Sequence, residues 1–118
     1  MFLNEREKFF GELYLHHIRR FLRETFGEKK VSILDAGCQA GRLAIPLAKE
    51  GHGLTAVDTS GFALKQAKRH AEEEGVSVHF LKGDVSEILT RDPQAFDVIL
   101  CIEVLYLREK YREFLRLF

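Results

Sequence analysis

Four acidic side chains stand at the ends of apolar runs, where several carboxylates could bind one ligand together. They are Asp35, Asp58, Asp84 and Glu103. Carboxylates complement a cationic ligand, and they accept charge-assisted hydrogen bonds from hydroxyl groups such as those of a ribose. A pyrophosphate group would be repelled by the same side chains. A sheet with a purely structural role has no need of an acid at the end of every strand, so the pattern predicts a binding site.

Two glycines follow the first of these acids, in the segment GCQAG from Gly37 to Gly41. Glycine adopts positive φ angles and lets the backbone approach a ligand closely. A helix that begins near Gly41 would also direct free N–H groups toward that ligand. The spacing G-x-x-x-G differs from the dinucleotide fingerprint G-x-G-x-x-G. By itself, the turn is explained equally well by a tight connection between a strand and a helix.

Asp58 allows two interpretations. It follows the glycine turn by about twenty residues, which is where an acid binds ribose hydroxyls in nucleoside-binding sheets. It could instead cap the helix after the segment DTS, a role that Ser60 would fill equally well. Considered together with the other acids, Asp58 favours nucleoside binding.

The elements that must position these residues alternate along the chain. Apolar runs predict strands over 31–36, 54–57, 76–81 and 96–102, with helices over 42–50, 60–74, about 86–90 and 106–118. Such alternation is typical of a doubly wound parallel sheet, a Rossmann-like α/β fold. One or two amphipathic helices over about 4–26 precede it, and the pattern predicts a capping box from Asn4 to Glu7. Their apolar stripe is Phe9, Leu13, His17 and Phe21, to which Phe10 and Ile18 could belong.

Composition narrows the class of protein. The 118 residues suit a single domain over 1–118, with a helical segment at 1–28 and the α/β part at 29–118. Eighteen basic and eighteen acidic residues give no field that would attract nucleic acid or a membrane, and no apolar run is long enough to span one. The two cysteines, Cys38 and Cys101, and the scattered histidines predict neither a metal site nor a disulfide framework. We therefore expect a reducing, cytoplasmic setting, with the two thiols reduced rather than paired.

Four segments together resemble the class I S-adenosylmethionine-dependent methyltransferases. The segment ILDAGCQAGRLAIPLAKEGHGLTAVDTS is similar to the first two motifs of that family, and LKGDV and FDVILCIEVLYL are similar to the third and fourth. They occur in the family's order over residues 31–107. The resemblance implies S-adenosylmethionine as cofactor, a strand order 3-2-1-4, and a small-molecule methyl acceptor. The alternative is a module that binds S-adenosylmethionine or S-adenosylhomocysteine without transferring a methyl group.

The resemblance also implies a role for each matching residue. Asp35 would hold the amino group of the cofactor, Asp58 the ribose, and Asp84 the adenine amino group. The remaining cofactor contacts implied are Gly37, Cys38, Gln39, Gly41, Thr59, Val85 and Cys101. Many family members have glycine where this chain has Gln39, a difference that bears on cofactor affinity.

A general base is needed only where the acceptor must lose a proton. Glu103 and Tyr106 are the candidates for that catalytic role, and their alternative role is to line the methionine end of the cofactor.

The family's sheet has seven strands, whereas this sequence predicts four. The fourth strand would therefore be an apolar edge, which natural proteins usually cover. Three interpretations follow: the chain is a fragment, it pairs with another copy or subunit, or the helix 106–118 folds over the sheet. We expect self-association, as a homo-oligomer or with a partner that covers this edge.

Overall fold

The computed structural model describes residues 5–37, 41–91 and 95–101, and within them a long first helix is followed by four strands that alternate with three further helices. In chain order the elements are α1 (Glu5–Phe26), β1 (Ser32–Ala36), α2 (Ala44–Lys49), β2 (Gly53–Asp58), α3 (Gly61–Glu74), β3 (His79–Lys82), α4 (Val85–Arg91) and β4 (Val98–Leu100). The predicted N-terminal segment is thus one helix. Asn4, the strand residue Ile102 and the predicted helix 106–118 lie outside the described residues.

The four strands form one parallel sheet in the order β3-β2-β1-β4. This confirms the predicted fold class and strand order. The chain moves outward from β1 to β3 and then returns to the other side of β1, which places the reversal of strand order between β1 and β4. In sheets of this type, ligands bind beyond the carboxyl ends of the strands at that point.

Both faces of the sheet are covered by helices, because the strands are apolar on both sides. On one face, Ile33 and Ala56 pack with buried side chains of α1, α2 and α3. On the other face, Leu34 and Val57 pack with Leu89 of α4. Alternation along β1 therefore sends neighbouring side chains into two different cores, which fixes the register of the strand that carries Asp35.

Of the apolar stripe predicted for α1, the possible member Ile18 is confirmed as a core residue, whereas Leu13, His17 and Phe21 are exposed and were predicted wrongly. Ile18 and Leu22 are the residues of α1 that enter the core, whereas Leu13 is 38% exposed and Phe21 49% exposed. Ile18 lies about 100° further round the helix than His17. This rotation buries aliphatic side chains and leaves the imidazole of His17 in water, which avoids the cost of burying a polar ring.

The strand β3 begins at His79, three residues later than predicted, because Val76 is hydrogen-bonded to the end of α3. Gly75 adopts φ +70° and ends the helix, as expected for a glycine at this position. The N–H of Val76 then donates to the carbonyl of Ala71 at 3.0 Å, a hydrogen bond that belongs to the helix cap. Val76 is therefore unable to pair as a strand residue.

At the amino edge of the sheet, Asp97 fixes the start of β4 against β1. The N–H of Ser32 donates to Oδ2 of Asp97 at 2.9 Å, and the N–H of Asp97 donates to the carbonyl of Ser32 at 3.0 Å. The hydrogen bonds from the backbone and side chain of Ser32 lower the pKa of Asp97. These bonds hold Asp97 just before the strand, and β4 begins at Val98 rather than at Phe96.

Candidate functional site

The parallel sheet brings the predicted binding residues to one edge. In the register of the strands, Asp35 of β1 lies between Ala56 of β2 and Leu100 of β4, and Asp58 lies opposite Lys82 of β3. Asp84 lies two positions after the last residue of β3, and Cys101 directly follows the last residue of β4. The structure therefore confirms that these acids share the carboxyl edge of the sheet. Glu103 lies outside the described residues.

Asp35 is the most buried of the site's acids. Its exposure is 3%, and it is the only charged side chain in the buried core of the described part of the chain. Taking a carboxylate out of water costs free energy that folding must offset elsewhere. Side chains that break the rule of an apolar interior are typical of functional sites. The position of Asp35 therefore supports a binding role rather than a packing role.

The structure shows which of Asp58 and Ser60 caps the helix α3. Oγ of Ser60 accepts from the N–H of Ala63 at 3.2 Å, so Ser60 is the N-cap of α3. Oδ1 of Asp58 accepts from the N–H of Ser60 at 2.9 Å and holds the turn that leads into the helix. The capping interpretation of Asp58 is therefore wrong. Thr59 lies exposed between these two residues.

Asp84 makes a related contact after β3, where it directly precedes α4 and stands at the N-cap position of that helix. Its Oδ1 accepts from both the N–H of Ser86 at 2.9 Å and the hydroxyl of Ser86 at 2.8 Å. The N–H of Gly83 donates to the carbonyl of Asp58 at 3.0 Å, which ties the two turns together. Val85, a predicted cofactor contact, is buried and packs with the core beneath α4.

The hydrogen bonds from Ser60 and Ser86 to the aspartates of the site were not predicted, although Ser60 was expected as a possible cap of the helix over 60–74. Ser60 and Ser86 each hold the aspartate two residues before them. The signal was present as a repeated D-x-S pattern, DTS at 58–60 and DVS at 84–86. A short side chain that bonds locally to the backbone two residues away is typical of a turn. This local bonding orients each carboxylate at the sheet edge.

The glycine turn after β1 has the backbone geometry that its composition predicts. Gly37 and Gly41 adopt φ values of +76° and +79°, and the N–H of Gly37 donates to the carbonyl of Val57 at 2.8 Å. The helix α2 begins at Ala44, two residues later than predicted. Pro46 accounts for this, because proline is tolerated in the first turn of a helix but not further along it. Cys38 and Gln39 lie outside the described residues.

Gly41 is crowded, which leads to a prediction. A Cβ added at Gly41 would lie 2.6 Å from Cδ1 of Ile45, whereas one added at Gly75 would meet nothing within 4 Å. Both positions have positive φ, so Gly75→Ala carries only the backbone strain, about 1–2 kcal/mol. Gly41→Ala adds the displacement of Ile45, and we expect a total loss of about 2–4 kcal/mol.

Urea unfolding of both variants measures this difference. We expect Gly41→Ala also to weaken ligand binding at the carboxyl edge, while Gly75→Ala leaves it unchanged. Equal losses of stability in the two variants would contradict the crowding at Gly41.

Cys101 carries a free thiol just after β4. Its partial burial raises the pKa of the thiol above the ordinary value of 9.0, because a thiolate is poorly solvated there. The protonated form therefore dominates at neutral pH. Such a thiol is a weak nucleophile, which suits a residue that lines a site rather than one that reacts.

Alkylation with iodoacetamide tests this state. In a Cys38→Ser chain, we expect the rate of alkylation at Cys101 to rise with pH through a midpoint above 9, and to be slower than that of free cysteine at pH 7.5. A midpoint below 8 would show that the thiolate is stabilised, and would contradict the effect of burial.

The chemistry of these side chains fits S-adenosylmethionine, which carries a sulfonium and an ammonium group. Asp35, Asp58 and Asp84 supply negative charge at the edge of three adjacent strands, and carboxylates are hydrogen-bond acceptors for ribose hydroxyls and an adenine amino group. Within residues 5–37, 41–91 and 95–101, no group of histidine, cysteine or acidic side chains has the arrangement of a metal site. In the same part of the chain, no helix is long and apolar enough to cross a membrane.

Comparisons with known proteins identify the family of the chain. A family model described as a methyltransferase domain matches residues 33–118. The ubiquinone biosynthesis O-methyltransferase of Coxiella burnetii is 38% identical over 86 residues, which cover 73% of this chain and 36% of that protein. The enzyme of the same name from Klebsiella pneumoniae is 40% identical over 80 residues, 68% of this chain and 32% of that protein. The chain thus spans about a third of the length of these curated relatives.

A solved structure gives the same fold. The magnesium protoporphyrin IX methyltransferase of Synechocystis, crystallised with bound S-adenosylmethionine, superposes with a TM-score of 0.60 at 25% identity. The match covers 74% of this chain and 45% of that protein. The strand order, the acids at the carboxyl edge and the family model lead to one conclusion. The chain belongs to the class I S-adenosylmethionine-dependent methyltransferases, the family whose fold and cofactor its sequence predicts.

Proposed function

We propose that the carboxyl edge of the sheet binds S-adenosylmethionine and that the protein transfers its methyl group to a hydroxyl oxygen of a small molecule. The observation that carries the proposal is the convergence of Asp35, Asp58 and Asp84 at the ends of three adjacent strands. The hydroxyl acceptor is supported by the relatives, which are named as O-methyltransferases.

In this proposal each acid holds a different part of the ligand. Asp35 accepts hydrogen bonds from the ammonium end, Asp58 from the ribose hydroxyls, and Asp84 from the adenine amino group. Support for Asp58 and Asp84 comes from their turns, because Ser60 and Ser86 hold each carboxylate at Oδ1 before any ligand arrives. A pre-oriented side chain loses less conformational entropy on binding, which increases affinity.

The same proposal assigns the remaining predicted contacts to the loops around this edge. Gly37 and Gly41 keep side chains away from the ligand, and Thr59, Val85 and Cys101 border it. Cys38 and Gln39 belong to the loop between the two glycines. These assignments follow the order of the motifs along the chain.

The bound cofactor supplies a methyl group that is already activated by the sulfonium. The protein therefore has to place the acceptor oxygen in line with that methyl group, which is worth up to about 7–11 kcal/mol in favourable cases. A phenol or alcohol must also lose its proton. We propose Glu103 or Tyr106 as the general base, because the sequence places both just after β4, beside Cys101.

Binding and transfer are tested separately. Calorimetry with S-adenosylmethionine and S-adenosylhomocysteine is expected to give saturable binding to the 118-residue chain. Incubation with a panel of catechols, phenols and amines, with S-adenosylhomocysteine as the product measured, is expected to show turnover with hydroxyl acceptors. Binding without turnover on any acceptor would favour the non-catalytic binding module, and absence of binding would overturn the proposal.

We also propose that residues 1–118 act as one domain in the cytoplasm, and that a second copy or a partner covers the outer edge of β4. The support for the partner is that, in the described residues, β4 pairs with β1 on one side only while Val98 and Ile99 remain half-buried. Light scattering at 10 to 100 micromolar chain is expected to give the mass of a dimer or larger species. A mass of 13.6 kDa at every concentration would contradict self-association.

A further inference from the structure

A second candidate site lies at the amino edge of the sheet, away from the acids of the carboxyl edge. It is a recess of about 280 Å³ between the end of α1, the segment 27–30 before β1, and the connection from α2 to β2. A water molecule takes up roughly 30 Å³ of liquid volume, so the recess has room for a small ligand and several waters. Nothing in the proposed methyl transfer uses this recess.

Basic side chains dominate the lining of the recess. Its charged residues are Arg19, Arg23, Lys29 and Lys30 on one hand, and Glu28 and Glu50 on the other. The recess therefore carries an excess of two positive charges in a chain whose basic and acidic residues are equal in number. A local excess of one sign in a concave surface raises the local concentration of counter-ions.

Local contacts shape the charged lining of the recess. Gly51 adopts φ +98°, and a Cβ added there would lie 3.3 Å from Cε of Lys30, so the glycine leaves room for the lysine stem. Nε of Arg19 donates to Oε1 of Glu50 at 2.8 Å, which takes up one acid of the lining. The Arg19–Glu50 pair leaves the charges of Arg23, Lys29 and Lys30, which are exposed at the recess, available to a ligand.

His52 lines the recess, and its pKa responds to the charges of neighbouring residues. Its Nδ1 accepts from the N–H of Val31 at 3.2 Å, which fixes the ring beside β1. Partial burial lowers the pKa of His52, the charge of Lys30 lowers it further, and Glu50 opposes this. The positive potential of the lysine thus reaches the ring in spite of the neighbouring acid.

We propose that this recess binds a phosphate dianion, free or as the phosphomonoester group of a larger molecule, through Lys30, Arg23 and Lys29. Arginine and lysine are the side chains that bind phosphate in proteins, arginine through two parallel hydrogen bonds and lysine as a point charge. A dianion would balance the excess of two positive charges. The site is independent of the carboxyl edge, which the acids make unsuitable for anions.

Titration with inorganic phosphate at pH 7.5 and low salt, followed by NMR of the backbone amides and of His52, tests the proposal. Saturable shifts are expected at residues 27–30 and 50–52. Lys30→Gln and Arg23→Gln are each expected to weaken binding about tenfold. The matched control is Arg20→Gln, because Arg20 belongs to the same helix and pairs with Glu24 outside the recess. Equal affinity in Lys30→Gln, Arg23→Gln and the parent chain would overturn the proposal.

The pKa of His52 provides a second readout that a general effect of salt would not reproduce. The charge of Lys30 disfavours the imidazolium and that of Glu50 favours it. The other charged residues that line the recess are Lys29 and Glu28 from the segment before β1, and Arg19 and Arg23 from α1. A bound dianion favours the imidazolium more strongly, so the pKa of His52 is expected to rise with phosphate and to stay constant with the same ionic strength of chloride. Equal changes with both salts would contradict a specific site.

Two further arms separate the sources of the phosphate group. Glycerol 3-phosphate tests a soluble phosphomonoester, and phosphatidylcholine vesicles with and without phosphatidic acid test a lipid headgroup. Asp58→Ala, which is aimed at the cofactor site, is expected to leave phosphate binding unchanged. Loss of phosphate binding in Asp58→Ala would show that phosphate binding depends on the carboxyl edge, and would contradict an independent site in the recess.

Discussion

Replacing Asp58 by alanine is expected to weaken binding of S-adenosylmethionine at least about 100-fold. Each charge-assisted hydrogen bond between a carboxylate and a hydroxyl contributes about 1.5–3 kcal/mol, and 1.4 kcal/mol corresponds to a factor of ten. Asp58 stands at the end of β2 with its carboxylate oriented by the N–H of Ser60. In the proposed site it accepts from both ribose hydroxyls, which is the basis of the expected loss. Calorimetry with S-adenosylmethionine gives the affinity directly.

Two matched variants separate the charge of Asp58 from its role in the turn. Asp58→Asn keeps an oxygen that accepts from the N–H of Ser60 and removes the negative charge, so most of the loss in affinity is expected to remain. Ser60→Ala removes the N-cap of α3 at a cost of about 1 kcal/mol in stability, with a smaller effect on affinity. Glu87→Gln, an exposed change on α4, is the control. An unchanged affinity for S-adenosylmethionine in both Asp58 variants would show that Asp58 does not bind the cofactor.

Leu47→Ala is expected to cause a large loss of stability, about 2–5 kcal/mol. Leu47 belongs to α2, has 0% exposure, and packs in the core formed by α1, α2, α3 and the sheet. Its truncation removes buried apolar surface and leaves a cavity. Since native domains are stable by only about 5–15 kcal/mol, the variant is expected to be partly unfolded at 37 °C.

Urea unfolding followed by circular dichroism measures this loss, and Leu13→Ala is the matched control. Leu13 is a leucine of α1 with 38% exposure, and its truncation is expected to cost less than about 1 kcal/mol. If the two truncations cost the same, α2 would not be packed against the sheet. The turn from Gly37 to Gly41 would then lack its support.

Much of the fold could be predicted because strands and helices alternate along this chain with few ambiguous segments. Apolar runs such as 98–100 continue without polar interruption, which indicates strands buried on both faces. The boundaries were less predictable, since caps decide them. The N–H of Val76 completes the cap of α3, and Pro46 restricts where α2 begins.

The candidate site was predictable in its residue types but not in its local bonding. The positions of Asp35, Asp58 and Asp84 after apolar runs placed them at one edge of a parallel sheet, which the strand order confirms. The sequence left open whether Asp58 or Ser60 caps α3, because either side chain can accept from a backbone N–H. The distances settle this in favour of Ser60.

The sequence by itself determined the parallel α/β sheet and the acids along its carboxyl edge, since both follow from local patterns that repeat with each strand and helix. Only the tertiary structure decided which side of α1 faces the sheet, because exposing His17 and burying Ile18 depends on the partner surface and not on the helix alone. Only the tertiary structure revealed the basic recess as well. Its residues come from three segments of the chain, and their charges act together only because folding brings them to one recess.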